Sequence, residues 1–177
     1  MIDLLHVDEG QPSAYPDPPS GLSPAAAALD AAPLWQRLEG WMAWRWGERT
    51  VSWVVQGRGL WSTALRPATV QTVEVWDATA TDWTATTLPA APLGLQVPDG
   101  VYRITALVGS TDTPPPDVLE AYRRYAEYTA DFAHAGRVAT SSSRRVGDIT
   151  VSSERPAAWQ AKALHYSGAA DLLRRYR

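Results

Sequence analysis

The chain has 177 residues, no cysteine and a formal net charge of −3 at pH 7, and this length suits one domain with a real core. The absence of cysteine excludes disulfides, thiolate zinc sites and cysteine nucleophiles, and the mildly acidic charge argues against a general nucleic-acid binder. The start of the chain does not resemble a signal segment, and no apolar run is long enough to cross a bilayer. We therefore expect a soluble protein made in a cytoplasm.

The first 22 residues are rich in proline and lack periodicity, which predicts an extended N-terminal arm that becomes ordered only against a neighbour. Ser23 and Pro24 are typical of the N-cap and first residue of a helix. A second helix is predicted from Pro33 to near Gly47. Its shared face would hold Leu34, Leu38, Trp41, Met42 and Arg45.

From Thr50 the apolar period becomes that of strands. The segments predicted as strands are 50–56, 60–65, 69–76, 82–88, 93–97 and 101–108. Asp99-Gly100 is the clearest hairpin signal. Because this section lies between helices, it predicts an antiparallel β insertion, about 50–108, and not an alternating βαβ unit.

The stretch from Thr113 to Gly136 is the strongest helix signal in the chain. Pro116 suits a first helical position, Asp117 and Glu120 suit the first turn, and Gly136 suits the C-cap. The predicted buried stripe consists of Val118, Tyr122, Tyr125, Thr129 and Phe132.

Beyond Gly136 a polar, serine-rich segment can supply a short strand around Val146 to Val151, and Pro156 begins a last helical region that Ser167-Gly168 interrupts. The predicted fold is thus α+β, a small helical bundle core with an antiparallel β insertion and extended N- and C-terminal arms. The expected divisions are residues 1–22 for the arm, 23–136 for the core, and 137–177 for the extended segment and helical tail.

Charge is distributed unevenly along the chain. Residues 1–36 hold five acidic residues and no Lys or Arg, whereas residues 137–177 hold eight basic residues against three acidic ones. This asymmetry is typical either of solvated tails or of two poles in a head-to-tail contact between copies.

Residues with catalytic potential are few. His6, His134 and His165 have no metal-ligand spacing, and no glycine-rich loop has the pattern of a phosphate or dinucleotide site. The carboxylates Asp77 and Asp82 are more typical of a turn than of acid–base chemistry. We expect a non-enzyme without metal or cofactor.

The nine tryptophans are unusual, and Trp53, Trp61, Trp76 and Trp83 fall in the β section. Large aromatic residues fill cores and interfaces, but on a sheet they can also stack on sugars. We interpret most of them as core or subunit-interface residues, with a carbohydrate-binding module as the alternative.

Four segments together resemble the head–tail connector, or adaptor, proteins of tailed bacteriophages and gene transfer agents. They are LWQRLEGWMAWRWGERTVSWVVQG, GVYRITALVG, PPPDVLEAYRRYAEYTADF and ALHYSGAADLLRRYR. The last is the most telling, since connectors similarly end in a helix, a Ser-Gly-Ala step and a Leu-Leu, arginine-containing terminus. The resemblance covers roughly residues 30–177.

The resemblance implies a dodecameric homo-oligomeric ring at the head–tail junction of the particle, assembled in the bacterial cytoplasm. It would lie beneath the portal protein, receive a downstream tail connector or stopper, and pass DNA through its lumen without reading the sequence. Neither membrane nor cofactor is implied.

The C-terminal region from Arg155 to Arg177 is predicted to be the contact with the portal. Apolar anchors would be Trp159, Tyr166, Leu172, Leu173 and Tyr176, oriented by Arg174, Arg175 and Arg177. The alternative is that the same residues close over the subunit's own central helix.

Overall fold

The structure, a computed structural model, describes residues 1–135, 141–146, 149–154 and 161–177. The chain folds into two compact units. Unit 1 combines Met1–Pro16 with Ala43–Asp112, and unit 2 combines Asp17–Met42 with Thr113–Arg177. Each unit is therefore built from two separate stretches of the chain.

Unit 1 consists of two antiparallel sheets. Its strands are β1 (Ile2–Glu9), β2 (Arg49–Gly57), β3 (Gly59–Trp61), β4 (Ala68–Asp77), β5 (Asp82–Ala85), β6 (Ala90–Ala91), β7 (Gly94–Val97) and β8 (Val101–Val108). One sheet has the order β1-β2-β8-β4-β5 and the other has the order β3-β7-β6. The strands expected at 50–56, 69–76, 93–97 and 101–108 are confirmed within a residue or so, and those expected at 60–65 and 82–88 are shorter.

The core of unit 1 lies on one face of the five-stranded sheet. Alternate residues of β8, from Tyr102 to Val108, are buried, as period-two patterning requires. They lie on the same face as Val51, Trp53 and Val55 of β2. The three-stranded sheet adds Trp61, whose ring meets that of Trp53 edge-on with the centroids 5.6 Å apart.

The hairpin predicted at Asp99-Gly100 is wrong, because β7 and β8 belong to different sheets. The turn instead carries the chain from one sheet to the other, and the carbonyl of Gly100 accepts a hydrogen bond from Gly57 N–H at 2.9 Å. A hairpin does join β4 to β5. Its turn is closed by Asp77, whose Oδ1 accepts hydrogen bonds from the backbone of Thr79 and Ala80.

Unit 2 contains the helices. They are α1 (Pro24–Ala27), α2 (Ala31–Glu39), α3 (Pro116–Ala135), α4 (Ala163–Tyr166) and α5 (Ala169–Leu172), followed by a 3-10 turn at Arg174–Tyr176. Ser23 caps α1 as expected, and its hydroxyl accepts a hydrogen bond from Ala26 N–H. The predicted long helix is confirmed as α3, which begins at Pro116.

The buried stripe of α3 differs from the predicted one. Val118 and Tyr122 are buried, but their buried neighbours are alanines, whereas Tyr125 and Thr129 are only half-buried. The small side chains let other helices approach α3 closely, which apolar periodicity alone does not reveal. The Phe132 side chain lies outside the described residues.

The second predicted helix is too long. α2 ends at Glu39, and Gly40 forms its C-cap with an N–H to the Gln36 carbonyl at 2.9 Å. Trp44 and Trp46 then make isolated β-bridges to Arg66 and Ser110 in unit 1. Gly40 is thus the C-cap of α2 and not a residue within the helix.

Strands β9 (Ser141–Val146) and β10 (Ile149–Glu154) pair with each other as a two-stranded antiparallel sheet in unit 2. The short strand expected around 146–151 is thus part of a hairpin. Residues 136–140, 147–148 and 155–160, which include the predicted C-cap Gly136 and the anchor Trp159, lie outside the described residues.

The predicted helical bundle core is wrong, since the described chain is mostly β and unit 1 has a sheet core of its own. The predicted extended N-terminal arm is also wrong, because residues 2–9 form strand β1 of the five-stranded sheet. Proline first appears at Pro12, so nothing in the earlier residues prevents sheet pairing. The prediction of an arm was based on the proline-rich residues 12–21 and was wrongly applied to residues 2–9 as well.

Candidate assembly surfaces

Strand β1 forms an edge of the five-stranded sheet, and among the described strands only β2 pairs with it. Leu4 lies opposite Val55 and Val7 lies opposite Trp53, so both face the same side as the core. They nevertheless remain 58% and 40% exposed, and Leu5 between them is 54% exposed. We call Leu4, Leu5 and Val7 the edge strip.

An edge strand that pairs on only one side among the described strands, and that exposes apolar side chains, is a template for pairing with another chain. Natural proteins protect such edges with charged side chains, especially lysine, with proline, with β-bulges or with a covering segment. β1 has acidic residues and a register irregularity between Leu4 and His6, but it contains neither lysine nor proline. The edge strip is therefore a candidate pairing surface of unit 1.

Glu9 anchors the end of β1. Its Oε1 accepts hydrogen bonds from Arg45 Nε at 2.7 Å and from Arg49 NH1 at 3.1 Å. Both arginines are buried, and Arg49 also donates to the carbonyls of Trp46 and Gly47. Burial raises the pKa of Glu9, but hydrogen bonds and charge from the two arginines outweigh it and leave the pKa below its ordinary value. Glu9, one of the five acidic residues in positions 1–36, is thus already paired inside unit 1.

The predicted C-terminal anchors are divided by the structure into buried and exposed groups. Leu173 is fully buried and Tyr176 is 7% exposed, whereas Leu172 is half-buried and Tyr166 is 55% exposed. The Tyr176 hydroxyl donates a hydrogen bond to Asp117 Oδ1 at 2.9 Å. Tyr176 therefore fastens the tail to the first turn of α3 within unit 2.

The three C-terminal arginines are exposed. Arg174 pairs with Asp171 at 3.1 Å and Arg175 pairs with Asp117 at 2.8 Å. The guanidinium carbon of Arg177 lies 4.4 Å from the centre of the Trp41 ring. Of the seven predicted contact residues that the structure describes, the exposed ones are Tyr166, Arg174, Arg175 and Arg177.

A cleft that sequence reasoning missed lies in unit 2 beside Trp41. Its volume is about 310 Å³, and it is lined by Gln36, Arg37, Gly40, Trp41, Ala161, Leu164 and His165. The rings of Trp41 and His165 meet edge-on with their centroids 4.8 Å apart. The sequence predicted Trp41 as a helix-face residue, and only the early end of α2 frees its ring to form a wall of the cleft.

The tryptophans of the β section fall into two pairs. Trp53 and Trp61 lie in the core. Trp76 and Trp83 lie on β4 and β5, with centroids 5.3 Å apart, and the Arg103 guanidinium carbon lies 4.6 Å from the Trp83 ring centre. Trp61 is thus not a surface platform, and one face of Trp83 is already covered.

The described residues contain no cluster of three or more His, Cys, Asp or Glu residues that could hold a metal ion. Asp77 serves its turn, and hydrogen bonds from Ala80 and Thr79 lower its pKa. His6 and His165 are exposed, and the side chain of His134 lies outside the described residues.

No family model, curated protein or solved structure matches this chain. Within the described parts of the chain, no helix is both long and apolar enough to span a membrane.

Proposed function

We propose that this protein is a structural subunit of a head–tail connector, or adaptor, ring in a tailed bacteriophage or gene transfer agent. The observation that carries the proposal is the edge strip of β1. Apolar residues on the core side of an unpaired edge are stabilised when another chain covers them. A subunit that works only within an assembly can expose such an edge.

A ring requires a heterologous contact, in which one surface of each copy meets a different surface of the next. The edge strip supplies one such surface in unit 1, and the exposed arginines of unit 2 supply a chemically different one. The proposed ring has twelve copies, with the portal protein above it and a tail connector or stopper below. Its place is the head–tail junction of the particle, assembled in the bacterial cytoplasm.

A conduit for DNA should make few strong phosphate contacts, since each one slows sliding and strengthens with decreasing salt. The net charge of −3 agrees with this requirement. The paired basic residues of α3 also agree with it, because Arg123 and Arg124 both contact Glu120, at 2.7 and 2.9 Å. The proposed role is structural and involves no catalysis or cofactor.

The alternative, a carbohydrate-binding module, would depend on exposed tryptophan faces. Trp76, at 38% exposed, is the best remaining candidate. Its neighbour Trp83 is covered by Arg103, which is itself held by Glu74 at 2.6 Å. A flat platform of two open rings is therefore not available, and the connector proposal is preferred.

Native mass spectrometry and negative-stain microscopy of the purified protein, alone and with a portal, test the proposal. The expected result is a closed ring of one defined copy number that binds the portal end-on. A protein that stays monomeric with and without the portal would refute it. Glycan-array binding that is lost in Trp76→Ala would favour the alternative.

A further inference from the structure

The cleft beside Trp41 has the features of a binding site. Its volume of about 310 Å³ lies at the lower end of the range for small-molecule pockets and is large enough for an inserted side chain. One wall is the end of α2 with Gln36 and Arg37, and the opposite wall is α4 with Leu164 and His165. The walls thus come from chain segments more than a hundred residues apart that pack together in unit 2.

Trp41 lines the cleft, but its indole N–H is closed to it. The nitrogen is buried and has no hydrogen-bond partner among the described residues. An atom that water cannot reach is also closed to the oxygen of a ligand in the cleft, so a ligand would contact other atoms of the Trp41 side chain.

The charges around the cleft favour an anion. Arg37 lines it and spends one N–H on the Ala161 carbonyl at 3.1 Å, which leaves the other donors of its guanidinium group. Arg177 brings a second guanidinium against the Trp41 ring. Among the residues that the structure describes, no carboxylate lines the cleft. The partial negative charge at the end of α2 is smaller than these two full positive charges.

We propose that this cleft binds the carboxylate of an acidic side chain from a docking polypeptide. The carboxylate would accept two hydrogen bonds from the guanidinium group of Arg37, while the methylene groups of the side chain would pack on Leu164 and Trp41. A carboxylate suits the site because its two oxygens match two parallel N–H groups of one guanidinium. The identity of the docking chain as a portal subunit rests on the proposed function, whereas carboxylate binding does not.

The test is a titration of the full-length ¹⁵N-labelled protein with the blocked peptide acetyl-Gly-Glu-Gly-amide, followed through the tryptophan indole resonances. Trp41→Phe identifies the Trp41 indole signal by its disappearance. The expected result is a saturable shift of that signal. The uncharged peptide acetyl-Gly-Gln-Gly-amide should bind more weakly by about tenfold or more, as expected for the loss of one charge-assisted contact.

Arg37→Gln should weaken binding of the glutamate peptide by about tenfold or more. Arg124→Gln is the matched control, since Arg124 is an exposed arginine already paired with Glu120, and it should leave binding unchanged. A Trp41 signal that does not move, or that moves equally with both peptides or in both variants, would overturn the inference.

Ring formation by the same samples in native mass spectrometry separates this inference from the proposed function. Glutamate binding without rings would retain the cleft and refute the connector. Rings without glutamate binding would support the connector and refute carboxylate binding in the cleft.

Discussion

Replacement of Leu4 by lysine tests the edge strip directly. Lysine is the residue with which natural edge strands commonly prevent pairing, and it introduces a charge that must stay hydrated. Because Leu4 is 58% exposed in the subunit, the substitution leaves the monomer fold largely unaffected. We expect Leu4→Lys to yield a folded protein that assembles only at higher protein concentration.

The magnitude follows from the exposed fraction of Leu4. Full burial of a leucine side chain is worth about 1.5–3 kcal/mol, so covering the exposed 58% would contribute roughly 0.9–1.7 kcal/mol to each subunit contact of the proposed ring. That loss alone weakens each contact by about five- to twentyfold, before the cost of desolvating the ammonium group. Every contact of a closed ring carries the same change, so the effect on the whole ring is multiplied by the number of subunits.

The assay is sedimentation velocity over a range of protein concentrations, with far-UV circular dichroism as the check of folding. Leu93→Lys is the control, since Leu93 is even more exposed, at 74%, but lies between β6 and β7, away from the edge strip. Leu4→Lys should shift assembly to higher concentration and Leu93→Lys should not. Equal behaviour of the two variants would refute the role of β1.

Three further predictions concern stability. Leu173→Ala should lower the free energy of unfolding by about 2–5 kcal/mol, as for a fully buried leucine, and the half-buried neighbour Leu172→Ala should lower it by clearly less in the same urea titration. Glu9→Gln should cost about 2 kcal/mol at neutral pH. Because the folded pKa of Glu9 lies below the ordinary 4.5, its contribution is complete above that value and is lost as the pH falls through the folded pKa. Urea titrations from pH 7 to pH 3 should therefore show the two proteins converging in acid, and a constant difference would contradict the ion-pair account. Gly94→Ala should lower the melting temperature markedly, since φ is +149° and a Cβ would overlap the Trp61 carbonyl oxygen; Gly21→Ala, at φ +81° with nothing nearby, is the calorimetric control and should cost much less.

Local signals in the sequence predicted individual elements well. Pro116 and the alternation from Val101 to Val108 fix the start of α3 and the span of β8, because proline geometry and period-two patterning act over a few residues. Likewise, the interruption at Ser167-Gly168 is confirmed by the left-handed conformation of Gly168 at φ +74°. These features need no information from distant parts of the chain.

Long-range pairing could not be predicted in the same way. Nothing local shows that β1 pairs with β2 across more than forty residues, or that β7 and β8 separate into two sheets after Asp99-Gly100. The prediction of a helical bundle was wrong because it took the strong helix signal of α3 as the centre of the fold and treated the strands as an insertion. The Trp41 cleft was equally hidden, since it depends on α2 ending at Glu39 and on residues of α4 lining the same cleft.

The two ends of the chain differ in how much free energy they can give to assembly. The charge asymmetry in the sequence fits solvated tails or a head-to-tail electrostatic contact. For the second, Glu9 is already paired with Arg45 and Arg49, and Asp117 already pairs with Arg175. Exposed ion pairs contribute at most about 1 kcal/mol and are weakened by salt. The edge strip loses nothing in salt and offers backbone hydrogen bonds as well as apolar area. Assembly that persists at 1 M salt, where charges beyond about 3 Å are screened, would therefore identify the apolar edge as the main source of ring stability, and assembly that disappears there would assign that role to the arginines.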